Sequence, residues 1–118
     1  MGRRPDGALE HEIMSVLWQA SRPLQPSAVQ SRLGGDLAYT SVATVLGRLH
    51  AKGLVSRKEA GRAFAYEAAI AEAEWAARRI GDVLSTASDR AAVLAGFVGT
   101  LSKREARALR ALLDEAGR

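Results

Sequence analysis

The 118-residue sequence contains no cysteine, only three prolines and only 5% aromatic residues. Without cysteine the chain forms no disulfide, no thiolate metal site and no cysteine nucleophile. Because hydrophobic residues make up 47% of the chain but aromatics so few, a core has to consist mainly of Ala, Val, Leu and Ile. An apolar composition of this kind, poor in proline, favours helices over a β-sandwich.

Long apolar runs are also missing. No run approaches the ~18 residues that span a bilayer, and residues 1–6 lack the apolar stretch of a signal peptide. His11 and His50 lie far apart in sequence, and we find no metal-ligand cluster, glycine-rich phosphate loop or nucleophile–base pair. We therefore expect a cytoplasmic protein without membrane insertion. It should not be an enzyme, and no catalytic residue, cofactor or metal is predicted.

Acidic residues are absent from one segment in the middle of the chain, between Asp36 and Glu59. Four basic residues fall within it and a fifth follows closely: Arg48, Lys52, Arg57, Lys58 and Arg62. The net charge is only +4, so this segment concentrates the positive excess. A local patch of this kind is typical of a protein that binds a polyanion.

Apolar periodicity predicts three helices in the first part of the chain. The first covers residues 9–20, and the second begins at Pro26 and ends at Gly34. The third runs from Thr40 to Lys52. Its apolar stripe has the helical spacing i, i+3, i+4 and i+7, with Val42, Val45, Leu46 and Leu49.

After Gly53 the pattern becomes that of a β-hairpin. Residues 54–58 and 62–66 have strand character, and Ala60-Gly61 between them predicts a tight turn. Three helices followed by a hairpin is the order of a winged helix-turn-helix domain. The predicted fold is therefore mainly α with a small β-hairpin, and the third helix would lie in the major groove of DNA.

The outward face of the third helix carries short polar side chains and one arginine. We predict that four of its residues read bases: Thr40, Ser41, Thr44 and Arg48. Four further cations are expected to contact phosphates, namely Lys52, Arg57, Lys58 and Arg62. Such a face is often only solvated surface. Element order, the acid-free segment and the hairpin together favour DNA binding.

From residue 71 onward the chain is predicted to be helical again. A helix including Ile80 is followed, after Ser88-Asp89, by one extending to Leu101, and Ser102 with Glu105 forms a capping-box pattern that starts the last helix. This part has more apolar surface than a solitary winged helix needs, so we predict a homodimer through residues 75–116. The alternative is a monomer in which these helices pack on their own winged domain.

The predicted domains are a winged helix-turn-helix DNA-binding domain, residues 1–69, and a C-terminal helical dimerisation region, residues 70–118. The dimer interface is predicted from the apolar positions of the second domain: Trp75, Ile80, Leu84, Leu94, Phe97, Val98, Leu101, Leu109, Leu112 and Leu113.

Four sequence motifs are similar to those of the penicillinase-repressor family of bacterial transcription regulators (the BlaI/MecI/CopY type). They are LEHEIMSVLW at residues 9–18, YTSVATVLGRL at 39–49, KGLV at 52–55 and GRAFAY at 61–66. The resemblance extends over nearly the whole chain. It implies an N-terminal winged helix, a C-terminal helical dimerisation region and repression from a dyad operator.

The chain departs from two branches of that family. Copper-responsive members end in a cysteine-rich metal site, so the absence of cysteine favours the non-copper branch. In β-lactam-responsive members a membrane sensor triggers cleavage of the repressor at an Asn-Phe bond. The nearest candidate here is Gly96-Phe97, which lacks the asparagine. The resemblance therefore suggests a sensor-linked protease as a partner but leaves the inducing signal open.

The function predicted from the sequence is a dimeric repressor on a pseudo-palindromic operator of double-stranded DNA, released by proteolysis or another signal. Two alternatives stay open. One is a winged-helix protein-interaction module that does not bind DNA. The other keeps DNA binding but places a small-molecule signal between the two parts of the chain.

Overall fold

The computed structural model describes residues 7–117, so residues 1–6, where no signal peptide is expected, lie outside the described part. The elements are α1 (Ala8–Gln19), α2 (Pro26–Leu33), α3 (Tyr39–Ala51), β1 (Val55–Ala60), β2 (Ala63–Ala68), α4 (Glu72–Thr86), α5 (Arg90–Val98) and α6 (Lys103–Ala116). The predicted fold class, mainly helical with one small hairpin, is confirmed.

The chain forms two compact units, the first ending at Ala76 and the second beginning at Ala77. The domain boundary predicted at residues 69/70 remains a prediction, since a contact unit is not by itself a folding domain. The first unit contains α1, α2, α3 and the hairpin. The second contains α5, α6 and most of α4.

The core of the first unit lies between its three helices and the hairpin. The apolar stripe of α3 supplies a large part of it, since Val42, Leu46 and Leu49 are fully buried and Val45 is 7% exposed. The fully buried Ile13 comes from α1. Burial of one face leaves the opposite face of α3 at the surface, as its helical period requires.

Local signals fix the ends of α2 and the connection to α3. Pro26 occupies the first turn of α2, where its missing N–H costs no hydrogen bond. Gly34, with φ of 69°, ends that helix in a conformation that favours glycine. The Gln30 side-chain amide then donates to the Leu37 carbonyl oxygen at 2.8 Å. This bond holds the connection close to α2.

The hairpin pairs β1 with β2 in antiparallel register, with Ala60 opposite Ala63. Its two-residue turn is therefore Gly61-Arg62, one residue later than the predicted Ala60-Gly61. The reason is that the first turn position has positive φ, which Gly61 adopts at 69°. Tyr66 also bridges to Leu24, through N–O distances of 2.8 and 2.7 Å. The hairpin is thus attached to the segment before α2.

Capping residues define the helices of the second unit. The Asp89 carboxylate accepts from the Ala92 N–H at the start of α5. Ser102 and Glu105 form the predicted capping box of α6. The helix predicted to include Leu101 ends at Val98, because glycine weakens it there and the Thr100 hydroxyl donates to the Phe97 carbonyl at 2.7 Å.

Within residues 7–117, none of the helices is both long enough and apolar enough to cross a bilayer.

Candidate nucleic-acid interface

The exposed face of α3 brings together the four residues predicted to read bases. Thr40, Ser41, Thr44 and Arg48 are all exposed, and they line one shallow depression together with Leu9 and Val45. Thr40, Thr44 and Arg48 follow at intervals of four residues, which places them along one side of the helix. The arrangement presents hydroxyl groups, methyl groups and one guanidinium group to solvent.

Gly47 lies on the same face, between Thr44 and Arg48. A Cβ added at this position would meet nothing within 4 Å, and the φ of Gly47 is in the region open to every residue. Packing within the first unit therefore does not require glycine here. In a helix interior, glycine costs about 1 kcal/mol relative to alanine.

The hairpin presents the basic residues predicted for phosphates. Arg57, Lys58 and Arg62 are exposed, with Arg62 in the turn. The Arg57 guanidinium carbon lies 4.1 Å from the centre of the Phe64 ring. Because neighbouring residues of a strand point to opposite faces, Lys58 points away from the face that carries Arg57.

Lys52, also predicted to contact phosphate, forms an ion pair in the structure. Its Nζ lies 2.9 Å from Glu10 Oε2, and the two side chains are 55% and 24% exposed. Glu10 comes from α1, 42 residues away, so the acid-free segment does not reveal it. The pair joins the beginning of α1 to the end of α3. To contact a phosphate, the Lys52 ammonium has to break its ion pair with Glu10 or bind the phosphate and Glu10 together.

Trp75, predicted for the dimer interface, is 8% exposed and belongs to the core of the first unit. The His11 ring stacks on it with 5.4 Å between centroids and 8° between planes, and Trp18 lies at the same centroid distance. The Trp18 indole N–H donates to the Ile70 carbonyl at 2.8 Å. Since Trp75 is already buried within the first unit, it has little surface left for a dimer interface.

The other residues predicted for the interface retain accessible surface. Six have exposed fractions between 43% and 63%: Ile80, Leu94, Phe97, Val98, Leu112 and Leu113. Leu84, Leu101 and Leu109 are half-buried. Sequence reasoning left out Val83 and Val93, which are 62% and 38% exposed and line an apolar groove of about 240 Å³ between α4 and α5. Val83 follows Ile80 by three residues and Val93 precedes Phe97 by four, and this helical spacing was the available signal.

Comparison with known proteins gives a consistent result. The model of the penicillinase repressor family matches residues 7–115. A transcriptional regulator BlaI of Mycobacterium tuberculosis is 39% identical over 114 residues, which cover 92% of this chain and 83% of that protein.

Solved structures also match. The solution structure of the DNA-binding domain of the repressor BlaI has a TM-score of 0.51 and 28% identity, over 63% of this chain and 93% of that one. The complex structure of hsRosR-S4, at 19% identity, resembles it in fold alone, with a TM-score of 0.54 over 97% of this chain and 92% of that one. With the helices and hairpin arranged as a winged helix-turn-helix, the chain belongs to the penicillinase repressor family.

Proposed function

We propose that the protein is a dimeric transcriptional repressor that binds a pseudo-palindromic operator in double-stranded DNA through α3. The observation that carries the proposal is the exposed face of that helix, on which Thr40, Ser41, Thr44 and Arg48 lie together. Membership of a family of transcriptional regulators supports a regulatory role rather than an enzymatic one, and a site of action in the cytoplasm.

Each residue of this face has a chemistry suited to base edges. Hydroxyl groups of Thr40, Ser41 and Thr44 donate or accept hydrogen bonds in the major groove, and a threonine methyl group contacts the methyl group of thymine. Arg48 is assigned a bidentate contact with guanine, which accepts through N7 and O6. Gly47 would let the backbone of α3 approach the bases closely, since no Cβ stands between them.

The cations around α3 are assigned to phosphates. Lys58 and Arg62 are exposed on the hairpin. Arg57 is exposed but in contact with the Phe64 ring, and Lys52 is paired with Glu10. Phosphate contacts give affinity and orientation without base preference. We therefore expect Lys58 and Arg62 to contribute more to the salt dependence than Lys52.

The dimer is proposed to form through the second unit. In α5 and α6 no described side chain is buried, although both helices carry large apolar residues. A second copy packed on Ile80, Phe97, Leu112 and Leu113 would remove this surface from water. A two-fold dimer also matches a pseudo-palindrome, with half-sites one helical turn or a multiple apart.

Release from the operator is proposed to follow proteolysis or another signal. In the first case the partner is a sensor-linked protease. Gly96-Phe97 lies in α5, a nine-residue helix with two glycines at or near its end and no buried side chain. A helix of this kind opens locally at low free-energy cost, which makes its peptide bonds accessible.

Selection of genomic fragments bound by the full-length protein tests the proposal. The bound fragments should share a dyad and should bind the protein in a gel shift at moderate salt. Light scattering should give the mass of two copies of the chain on each fragment. Fragments without a shared dyad would contradict operator binding. Absence of any duplex binding would instead support the protein-interaction module, and a monomer mass at micromolar concentration would contradict the dimer.

A further inference from the structure

One aromatic residue of the hairpin, Phe64, has no role in the function proposed so far. It is 36% exposed, it lies outside the core cluster, and the Arg57 guanidinium carbon is 4.1 Å from its ring centre. We propose that Phe64 is a positioning residue, which holds the Arg57 guanidinium in place for a bidentate contact with a DNA phosphate. The inference rests on the proposed function and adds to it a residue that has neither charge nor hydrogen-bond donor.

The strand register places the two side chains on one face of the hairpin. Arg57 is opposite Tyr66, and Glu59 is opposite Phe64. Side chains of alternate residues share a face, so Arg57 and Phe64 are diagonal neighbours on it. Lys58 lies on the other face. The two strands therefore carry two cations of equal charge on opposite faces, Arg57 and Lys58, and Arg57 is the one on the face of the aromatic ring.

Phe64 is itself supported by the core of the first unit. Its ring makes an edge contact with Tyr66 at 6.5 Å between centroids, and Tyr66 is 5% exposed. Backbone hydrogen bonds of 2.8 and 2.7 Å join Tyr66 to Leu24. Near the turn, the Gln25 side-chain amide donates to the Ala60 carbonyl at 2.6 Å. The strand that carries Phe64 is therefore attached to the rest of the first unit, and the position of the ring next to Arg57 is defined by it.

A cation–π contact of this kind orders the guanidinium and leaves N–H donors available for a phosphate. The ring attracts the cation through its negative face, whereas the N–H groups of guanidinium point outward in its plane. Within residues 7–117 Arg57 has no ion-pair partner, although Glu59 shares its face. Arginine presents two parallel N–H groups to a phosphate, and a guanidinium already held in place loses less side-chain freedom on binding.

A double-mutant cycle on operator affinity tests the proposal. The variants are Phe64→Leu, which keeps an apolar side chain but removes the ring, Phe64→Tyr, which keeps the ring, and Arg57→Ala. Lys58→Ala serves as the matched control, since it removes the same charge from the other face. Affinity is measured by fluorescence anisotropy over a salt series, on an operator duplex and on a scrambled duplex, with thermal unfolding as the check of folding.

Phe64→Leu should weaken binding by about 2- to 5-fold for each hairpin on both duplexes, while Phe64→Tyr binds as the wild type does. The salt slope should stay unchanged in Phe64→Leu, because Arg57 keeps its charge. In Arg57→Ala the slope should fall by about 2 for a dimer. Phe64→Leu should add nothing to Arg57→Ala and should add fully to Lys58→Ala.

Three results would overturn the inference. One is wild-type affinity in Phe64→Leu. Another is an equal loss from Phe64→Leu with and without Arg57, which would mean that Phe64 contacts DNA directly or only supports the strand. The third is a melting temperature that is lowered in both Phe64→Leu and Phe64→Tyr. A wild-type protein that binds neither duplex at low salt refutes the proposed function as well, which separates the two failures.

Discussion

The two units of the chain differ in how they bury apolar side chains. Of residues 7–117, fifteen hydrophobic residues are buried, from Ile13 to Trp75, and all of them belong to the first unit. Among its residues up to 117, the second unit has none, and eight large hydrophobic residues are exposed there, among them Val83, Leu112 and Leu113 at more than 60%. The first unit has a core of its own, whereas the second has helices with well-formed caps but no core.

The helices of the first unit are stabilised by packing against one another, whereas the ends of α5 and α6 in the second unit are defined mainly by capping. In the first, the apolar stripes of three helices meet each other, and the opposite face of α3 stays exposed. In the second, capping fixes the helix ends but contributes only about 1 kcal/mol per cap. Most stability of helices in proteins comes from packing an apolar face. The second unit therefore needs a partner surface, which we propose to be a second copy.

The largest effect is expected from removing apolar side chains of the second unit. Leu112→Ala combined with Leu113→Ala deletes four exposed leucines per dimer. At about 1.5 kcal/mol for each, the association free energy should weaken on the order of 6 kcal/mol. Sedimentation or light scattering at micromolar concentration should then give a monomer. An unchanged dimer mass would place the interface elsewhere.

The same substitution in the first unit gives the matched comparison. Leu46 is fully buried in the monomer, so Leu46→Ala should lower the free energy of unfolding by about 2–5 kcal/mol through the cavity it leaves. It should leave the dimer mass unchanged where the protein is folded. A monomer from Leu46→Ala under such conditions would show that the two units do not divide the roles as described.

A smaller effect is expected at the cap of α6. The Glu105 N–H donates to the Ser102 hydroxyl at 3.0 Å, and the Ser102 N–H donates to the Glu105 carboxylate at 2.9 Å. Ser102→Ala should cost about 1 kcal/mol in the free energy of unfolding, measured by chemical denaturation. No loss would mean that α6 does not depend on its cap.

The same cap predicts a dependence on pH. The backbone N–H of Ser102, and then its hydroxyl, hold the pKa of Glu105 below its usual value of 4.5. Because the folded-state pKa is lowered, the stabilisation is present at neutral pH and is lost as the pH falls through that lowered value. Glu105→Gln should reduce this acid-side dependence. An identical pH profile in wild type and Glu105→Gln would contradict it.

The smallest effect on stability is expected at Gly47, with the opposite sign. Since an added Cβ meets nothing within 4 Å, Gly47→Ala should stabilise α3 by about 0.5–1 kcal/mol. Operator affinity should nevertheless fall, because the new methyl group lies between the helix backbone and the bases. Gly81→Ala is the control for stability, because Gly81 also lies in a helix and a Cβ added there also meets nothing within 4 Å. Unchanged affinity in a stabilised Gly47→Ala would show that α3 does not approach the bases at this point.

The regular part of the fold is predictable from local patterns. The stripe of Val42, Val45, Leu46 and Leu49 predicts both the burial of α3 and its exposed face, and the Ser102–Glu105 pattern predicts the start of α6. The hairpin turn lies one residue later than the sequence predicts. Strand character alone does not determine whether Gly61 is the first or the second residue of the turn.

Contacts between distant segments are not predictable in this way. Lys52 has a partner in Glu10, and Trp75 stacks on His11, since α1 passes close to both. Neither pair shares a local motif. The spacing of Leu101 continues the apolar stripe and predicts this residue in α5, but the hydrogen bond of Thr100 and two glycines end the helix earlier. Periodicity identifies faces, and tertiary packing decides what covers them.

The most direct test of the central claim is the affinity of Arg48 variants for the selected operator and for a scrambled duplex, measured at the same salt concentration. Arg48→Ala should weaken operator binding by about 1–3 kcal/mol for each half-site and reduce base preference. Arg48→Lys, which keeps the charge but not the bidentate geometry, should lose operator preference while it retains affinity for the scrambled duplex. Operator affinity that is unchanged in Arg48→Ala would contradict the assignment of this face of α3 to base recognition.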